Sequence, residues 1–61
     1  MYDYDLMIDM EELALAFDHC GIIEIPLTNA RLRRAALELE ENGVIELVGK
    51  NREVAAFAKV S

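Results

Sequence analysis

The sequence predicts one α+β domain over residues 1–61, a helix–strand–helix followed by a β-hairpin. Three observations lead there. Apolar residues recur at helical spacing over 9–20 and again over 28–41. Between them lies a β-branched run, Ile22-Ile23-Glu24-Ile25. Residues 44–60 then hold two further β-prone runs on either side of Gly49-Lys50-Asn51-Arg52, which has turn chemistry.

At the start, Tyr2, Tyr4, Leu6 and Ile8 alternate with Asp3, Asp5 and Met7, the pattern of a short strand or an extended arm over residues 1–8. Asp9 is the expected N-cap of the first helix, with Glu12 three positions on. Met10, Leu13, Ala16, Phe17 and Cys20 share its apolar face, and Gly21 is a natural stop. Pro26 ends the short strand because it has no N–H for a sheet ladder. Thr28 is the expected N-cap of the second helix, whose apolar stripe is Leu32, Ala35, Ala36 and Leu39. Asn42-Gly43 supplies its stop. Val44–Val48 and Glu53–Val60 then form the hairpin, apolar on both faces and so expected to be covered on both.

A chain of 61 residues buries only about 60% of the surface its unfolded form exposes, and so is marginally stable alone. The single cysteine, Cys20, forms no internal disulfide and reads as a small buried apolar residue in a reducing compartment. One Cys and one His fall short of a four-ligand zinc site, so no metal or other cofactor is expected. Self-association remains as the staple, and a homo-oligomer is expected. No stretch approaches the length of a membrane span, and the acidic N-terminus lacks the basic start of a signal peptide. The expected location is cytoplasmic, with no membrane partner.

The formal net charge is −6, unevenly distributed. Residues 1–27 hold seven acids and neither Lys nor Arg; residues 28–61 hold five acids and all six Lys and Arg. Within the second half, Arg31, Arg33 and Arg34 crowd the start of a helix and Glu38, Glu40 and Glu41 crowd its end. That order opposes the helix dipole, which favours anions at the N-terminus. The arginines are therefore either a solvated surface face or the contacts for a ligand.

The stretch "MEELALAF…LTNARLRRAALELEENGVIELVGKNREVAAFAKV" resembles the winged helix-turn-helix family over roughly residues 9–60. Its most telling part is Leu39-Glu40-Glu41-Asn42-Gly43-Val44-Ile45-Glu46, where a helix ends in Leu-x-x-x-Gly and a β-branched strand begins at once. The usual first helix of that family is missing, and "HCGIIEIPL" is longer than a tight turn. The resemblance implies that the second helix is a recognition helix and residues 44–60 its wing. It implies DNA-binding roles for Thr28, Asn29, Arg31, Arg33 and Arg34 at the helix start, and for Lys50, Asn51 and Arg52 at the wing tip. Arginine and asparagine suit guanine and adenine edges. The implied protein is a small, phage-type transcriptional regulator that binds duplex DNA as a homodimer.

A different class of function competes with it. The acids Asp3, Asp5, Glu11, Glu12 and Asp18 offer a carboxylate face to a basic protein partner, imitating a phosphate track. Tyr2, Tyr4, Leu15, Leu37 and Phe57 are then candidate interface residues. This reading describes a small acidic phage-type inhibitor or adaptor that blocks a host or defence protein. Catalysis is not expected. Asp18-His19-Cys20 are consecutive on a helix and point about 100° apart, so they do not converge as an acid–base–nucleophile set.

Overall fold

The computed structural model describes residues 3–60. Its elements are α1 (Tyr4–Cys20), β1 (Ile22–Pro26), α2 (Ala30–Glu41), β2 (Ile45–Lys50) and β3 (Val54–Lys59). The α+β order read from the sequence is therefore the observed one: helix, strand, helix, hairpin. The three strands form one antiparallel sheet in the order β1-β3-β2, so the strand between the helices pairs with the far arm of the hairpin.

The first helix begins earlier than the sequence pattern indicated. Residues 4–8 are helical rather than an extended arm. The cap is Asp3, whose Oδ1 accepts from the Leu6 N–H at 2.7 Å, and not Asp9, which lies within the helix. The physical reason is Leu6, only 3% exposed. Starting the helix at Tyr4 places Leu6, Met10, Leu13 and Phe17 on one face and adds Leu6 to the core. Tyr2 lies outside the described residues. At the other end, Gly21 takes φ 75° and donates its N–H to the Phe17 carbonyl, which closes the helix. Cys20 is exposed rather than part of the core. It sits in the last turn, where the chain reverses through Gly21.

The second helix carries the stripe read from the sequence: Ala35, Ala36 and Leu39 are buried and Leu32 is half-buried. Ala35 and Ala36 have no exposed surface, which suits a helix lying close to its neighbours. Its cap is Asn29 rather than Thr28: the Asn29 side chain accepts from the Leu32 N–H at 3.1 Å. Asn29→Ala is expected to lower unfolding stability by about 1 kcal/mol. Thr28→Ala, at an exposed position, should stay within about 0.5 kcal/mol. Urea titrations followed by circular dichroism check the contrast, and equal losses would return the cap to Thr28. The C-terminal end closes with two bonds, Gly43 N–H to Glu40 O and Val44 N–H to Leu39 O, with Gly43 at φ 77°. That is a Schellman closure, and it delivers the chain directly into β2.

In the sheet, Ile23 pairs with Phe57 and Ile25 with Ala55. These side chains, with Ile45, face the helices, and Ile25, Ile45, Ala55 and Phe57 are buried. The opposite face carries Ile22, Glu24, Val54, Ala56 and Ala58 and, among the described residues, has no helix over it. A break in register between Leu47 and Gly49 leaves Val48 without a partner in β3. Gly49 thus belongs to the bulge and not to the turn. Asn51 shapes the turn: its Oδ1 accepts from the Glu53 and Val54 N–H groups at 2.7 and 2.9 Å.

Candidate functional site

The expected site begins at the start of α2, and there the structure explains the reversed charge order. Arg31 donates from Nε and Nη2 to the two carboxylate oxygens of Asp9, both at 2.9 Å. Arg34 donates from Nη1 to Asp3 Oδ2 at 3.0 Å. Asp9 lies in α1 and Asp3 caps it, and α1 packs along α2. The arginines that oppose their own helix dipole are therefore matched by carboxylates of the neighbouring helix. The fork-to-fork geometry of Arg31 and Asp9 is the stronger of the two arrangements. These hydrogen bonds also move the titrations. The Asp9 side chain raises the Arg31 pKa further above its ordinary value. The Leu6 N–H and then the Arg34 guanidinium lower that of the Asp3 carboxyl.

Asp3, Asp5, Asp9, Arg31 and Arg34 line a shallow pocket of about 170 Å³, with Leu6 beneath. Three carboxylates against two guanidinium groups give it a net negative charge. A phosphate brought to this helix end meets Asp5 as well as the arginines.

The remaining expected DNA contacts are distributed elsewhere. Thr28 and Asn29 are exposed before the helix, with the Asn29 side-chain oxygen occupied by the cap. Arg33 turns away from α1, and its Nη1 donates to the Leu27 carbonyl at 3.3 Å. Arg33 and Lys50 line a second groove, of about 140 Å³, between α2 and the hairpin. Arg52 is exposed at the turn, and the Asn51 side chain is committed to it. The eight residues thus do not converge. Arg31 and Arg34 face α1, Arg33 and Lys50 share the groove, and Asn51 and Arg52 form the tip.

The acids also divide. Asp3 is taken by its cap and by Arg34, and Asp18 pairs with Lys59 of β3, which lowers the Asp18 pKa. Among the described residues, Asp5, Glu11 and Glu12 form no salt bridge and are exposed. On the side of α1 opposite Leu6, Leu13 and Phe17, the helix repeat brings Tyr4, Ile8, Glu11 and Leu15 into one stripe. Tyr4 is 76% exposed and Leu15 55%. Leu37 is also exposed, whereas Phe57 is buried: strand alternation turns it inward beside Ala55, and it forms part of the groove floor. The sequence reading missed Ile8 as the middle of the α1 stripe, because residues 4–8 read as extended. A helical count from Leu6 through Phe17 would have found it.

Among the described residues, no group of three His, Cys, Asp or Glu is placed to hold a metal ion, and no helix is long and apolar enough to cross a membrane. Fold and surface together define a small α+β domain with one acidic–apolar helix face and one apolar groove edged by Arg33, Lys50 and Glu40. Compared with known proteins, the chain matches no family model, no curated protein and no solved structure.

Proposed function

We propose that the chain is a small protein-binding inhibitor or adaptor that docks the outer face of α1 onto a basic protein surface. The observation that carries this is the α1 stripe. Tyr4, Ile8 and Leu15 supply apolar anchors along one line, with Glu11 within it and Glu12 beside it. Amphipathic helices laid into a partner's groove use this spacing. Apolar anchors supply the contact area, and flanking carboxylates fix orientation against a positive surface and speed encounter. A surface that itself binds nucleic acid is the natural target, because it already presents Lys and Arg to rows of negative charge.

The second reading is a winged-helix-type, homodimeric DNA-binding regulator. Arg33 and Lys50 on one groove, with Arg52 at the hairpin tip, favour it. It has to work around Asp3, Asp5 and Asp9 beside the other two helix arginines.

One paired experiment separates them. A tagged chain is used to capture partners from the cells it acts in, beside a duplex-DNA titration across salt concentrations. The first reading expects one stoichiometric protein, lost from the variant Glu11→Arg plus Glu12→Arg, and no tight duplex binding at about 0.15 M salt. A partner retained by that variant counts against the α1 face. Tight duplex binding that disappears with Arg33→Ala plus Arg52→Ala moves the assignment to the regulator.

A further inference from the structure

We infer that two copies of the chain associate about a two-fold axis at Leu37, with the two α2 helices antiparallel and Arg33 of each copy paired with Glu40 of the other. Leu37 is 49% exposed at the groove between α2 and β2, and Leu47 on the opposite wall is 45% exposed. Phe57 lies in the floor, so the groove is apolar at its base. Its rim is charged by position. Arg33 precedes Leu37 by four residues and Glu40 follows it by three, which places both on the same flank of the helix. All three side chains line the one groove.

A two-fold contact must be self-complementary. Reversing the direction of the second helix about Leu37 sets Arg33 against the other copy's Glu40 twice, and sets Leu37 against Leu37. Glu40 is already oriented, since its Oε2 accepts from the Leu47 N–H at 3.3 Å. Arg33 is the one arginine of α2 that meets no carboxylate among the described residues. This contact completes the set: each of the three arginines at the start of α2 then has an acid.

Scale allows it. An interface of ordinary size takes about 800 Å² from each partner, under a fifth of the chain's 4377 Å² surface. The uncovered outer face of the sheet is a poorer self-contact, because Glu24 and Glu46 both lie on it and two copies would bring like charges together. The inference does not rest on the α1 reading, since the two surfaces use different residues.

Sedimentation equilibrium of the full chain over a wide concentration range tests it. A dimer is expected, and Leu37→Glu should dissociate it. Arg33→Glu and Glu40→Arg should each weaken it on the order of thirtyfold, because each leaves two like-charged contacts at the rim. The double variant Arg33→Glu plus Glu40→Arg should restore association, which a general loss of fold would not do. Glu11→Arg plus Glu12→Arg should stay dimeric. A monomeric wild-type chain, a dimer indifferent to Leu37→Glu, or a folded double variant that stays monomeric overturns the inference.

Discussion

Phe17→Ala is expected to leave the chain largely unfolded. Phe17 is 1% exposed and is one of the three largest fully buried side chains, with Ile25 and Ile45. It lies on the inner face of α1, in the cluster that joins both helices to the sheet. Truncating a buried phenylalanine costs about 3–5 kcal/mol, since both the transfer of the ring and the cavity left behind count against the fold. Natural domains are stable by roughly 0.05–0.15 kcal/mol per residue, which for this chain means about 3–9 kcal/mol in all. The loss therefore approaches the whole stability. No disulfide and no second large aromatic on α1's inner face offset it. Leu15→Ala on the same helix removes an exposed side chain and should change stability by no more than about 0.5 kcal/mol. Helical circular dichroism against urea measures both. If the two variants unfold at the same urea concentration, α1 does not carry its core on the Leu6–Leu13–Phe17 face.

How far the sequence specified all this depends on the range of the interaction. The second helix and its exit were legible because their signals are local. Leu32, Ala35, Ala36 and Leu39 mark the stripe, and Asn42-Gly43 before a β-branched pair marks the closure. The start of α1 was not. Residues 2–8 fit a two-residue alternation as well as a helical repeat, and the choice is made by burying Leu6 against elements far along the chain. The same holds for the arginines. Their placement against the dipole was visible, but their partners lie 22 and 31 residues away. No local pattern reports which helix will lie beside which. The charge asymmetry was the available clue: an acidic first half and a second half holding all the bases answer each other once α1 and α2 pack. Leu37 stood out among charges in the sequence. Leu47, its neighbour across the groove, did not: alternation puts it on the same side of β2 as Ile45, and only the packing of α2 leaves Leu47 exposed while Ile45 is buried.

The acids of α1 also set what the helix arginines are able to bind, and this yields the second large effect. Asp3→Asn, Asp5→Asn and Asp9→Asn together raise the formal net charge from −6 to −3. Asparagine caps a helix about as well as aspartate, so the start of α1 should persist. Arg31 and Arg34 then face a pocket without carboxylates. The triple variant is expected to gain affinity for a duplex-DNA probe at low salt, on the order of tenfold or more. Each arginine that engages a phosphate adds about 0.9 to the steepness of the logarithmic salt dependence, so freeing two adds about 1.8. Fluorescence anisotropy at several salt concentrations reads both quantities. Glu11→Gln, Glu12→Gln and Asp18→Asn together, which make the same change in total charge away from this pocket, are the control. A gain confined to the triple variant means that the arginines are capable of holding phosphate and are kept from it by α1, as a protein-binding role requires. Titrations of wild type and triple variant that superpose mean that these carboxylates do not govern the helix end. Tight binding already present in the wild type, and lost with Arg31→Ala plus Arg34→Ala, would place nucleic acid at α2 despite the acids beside it.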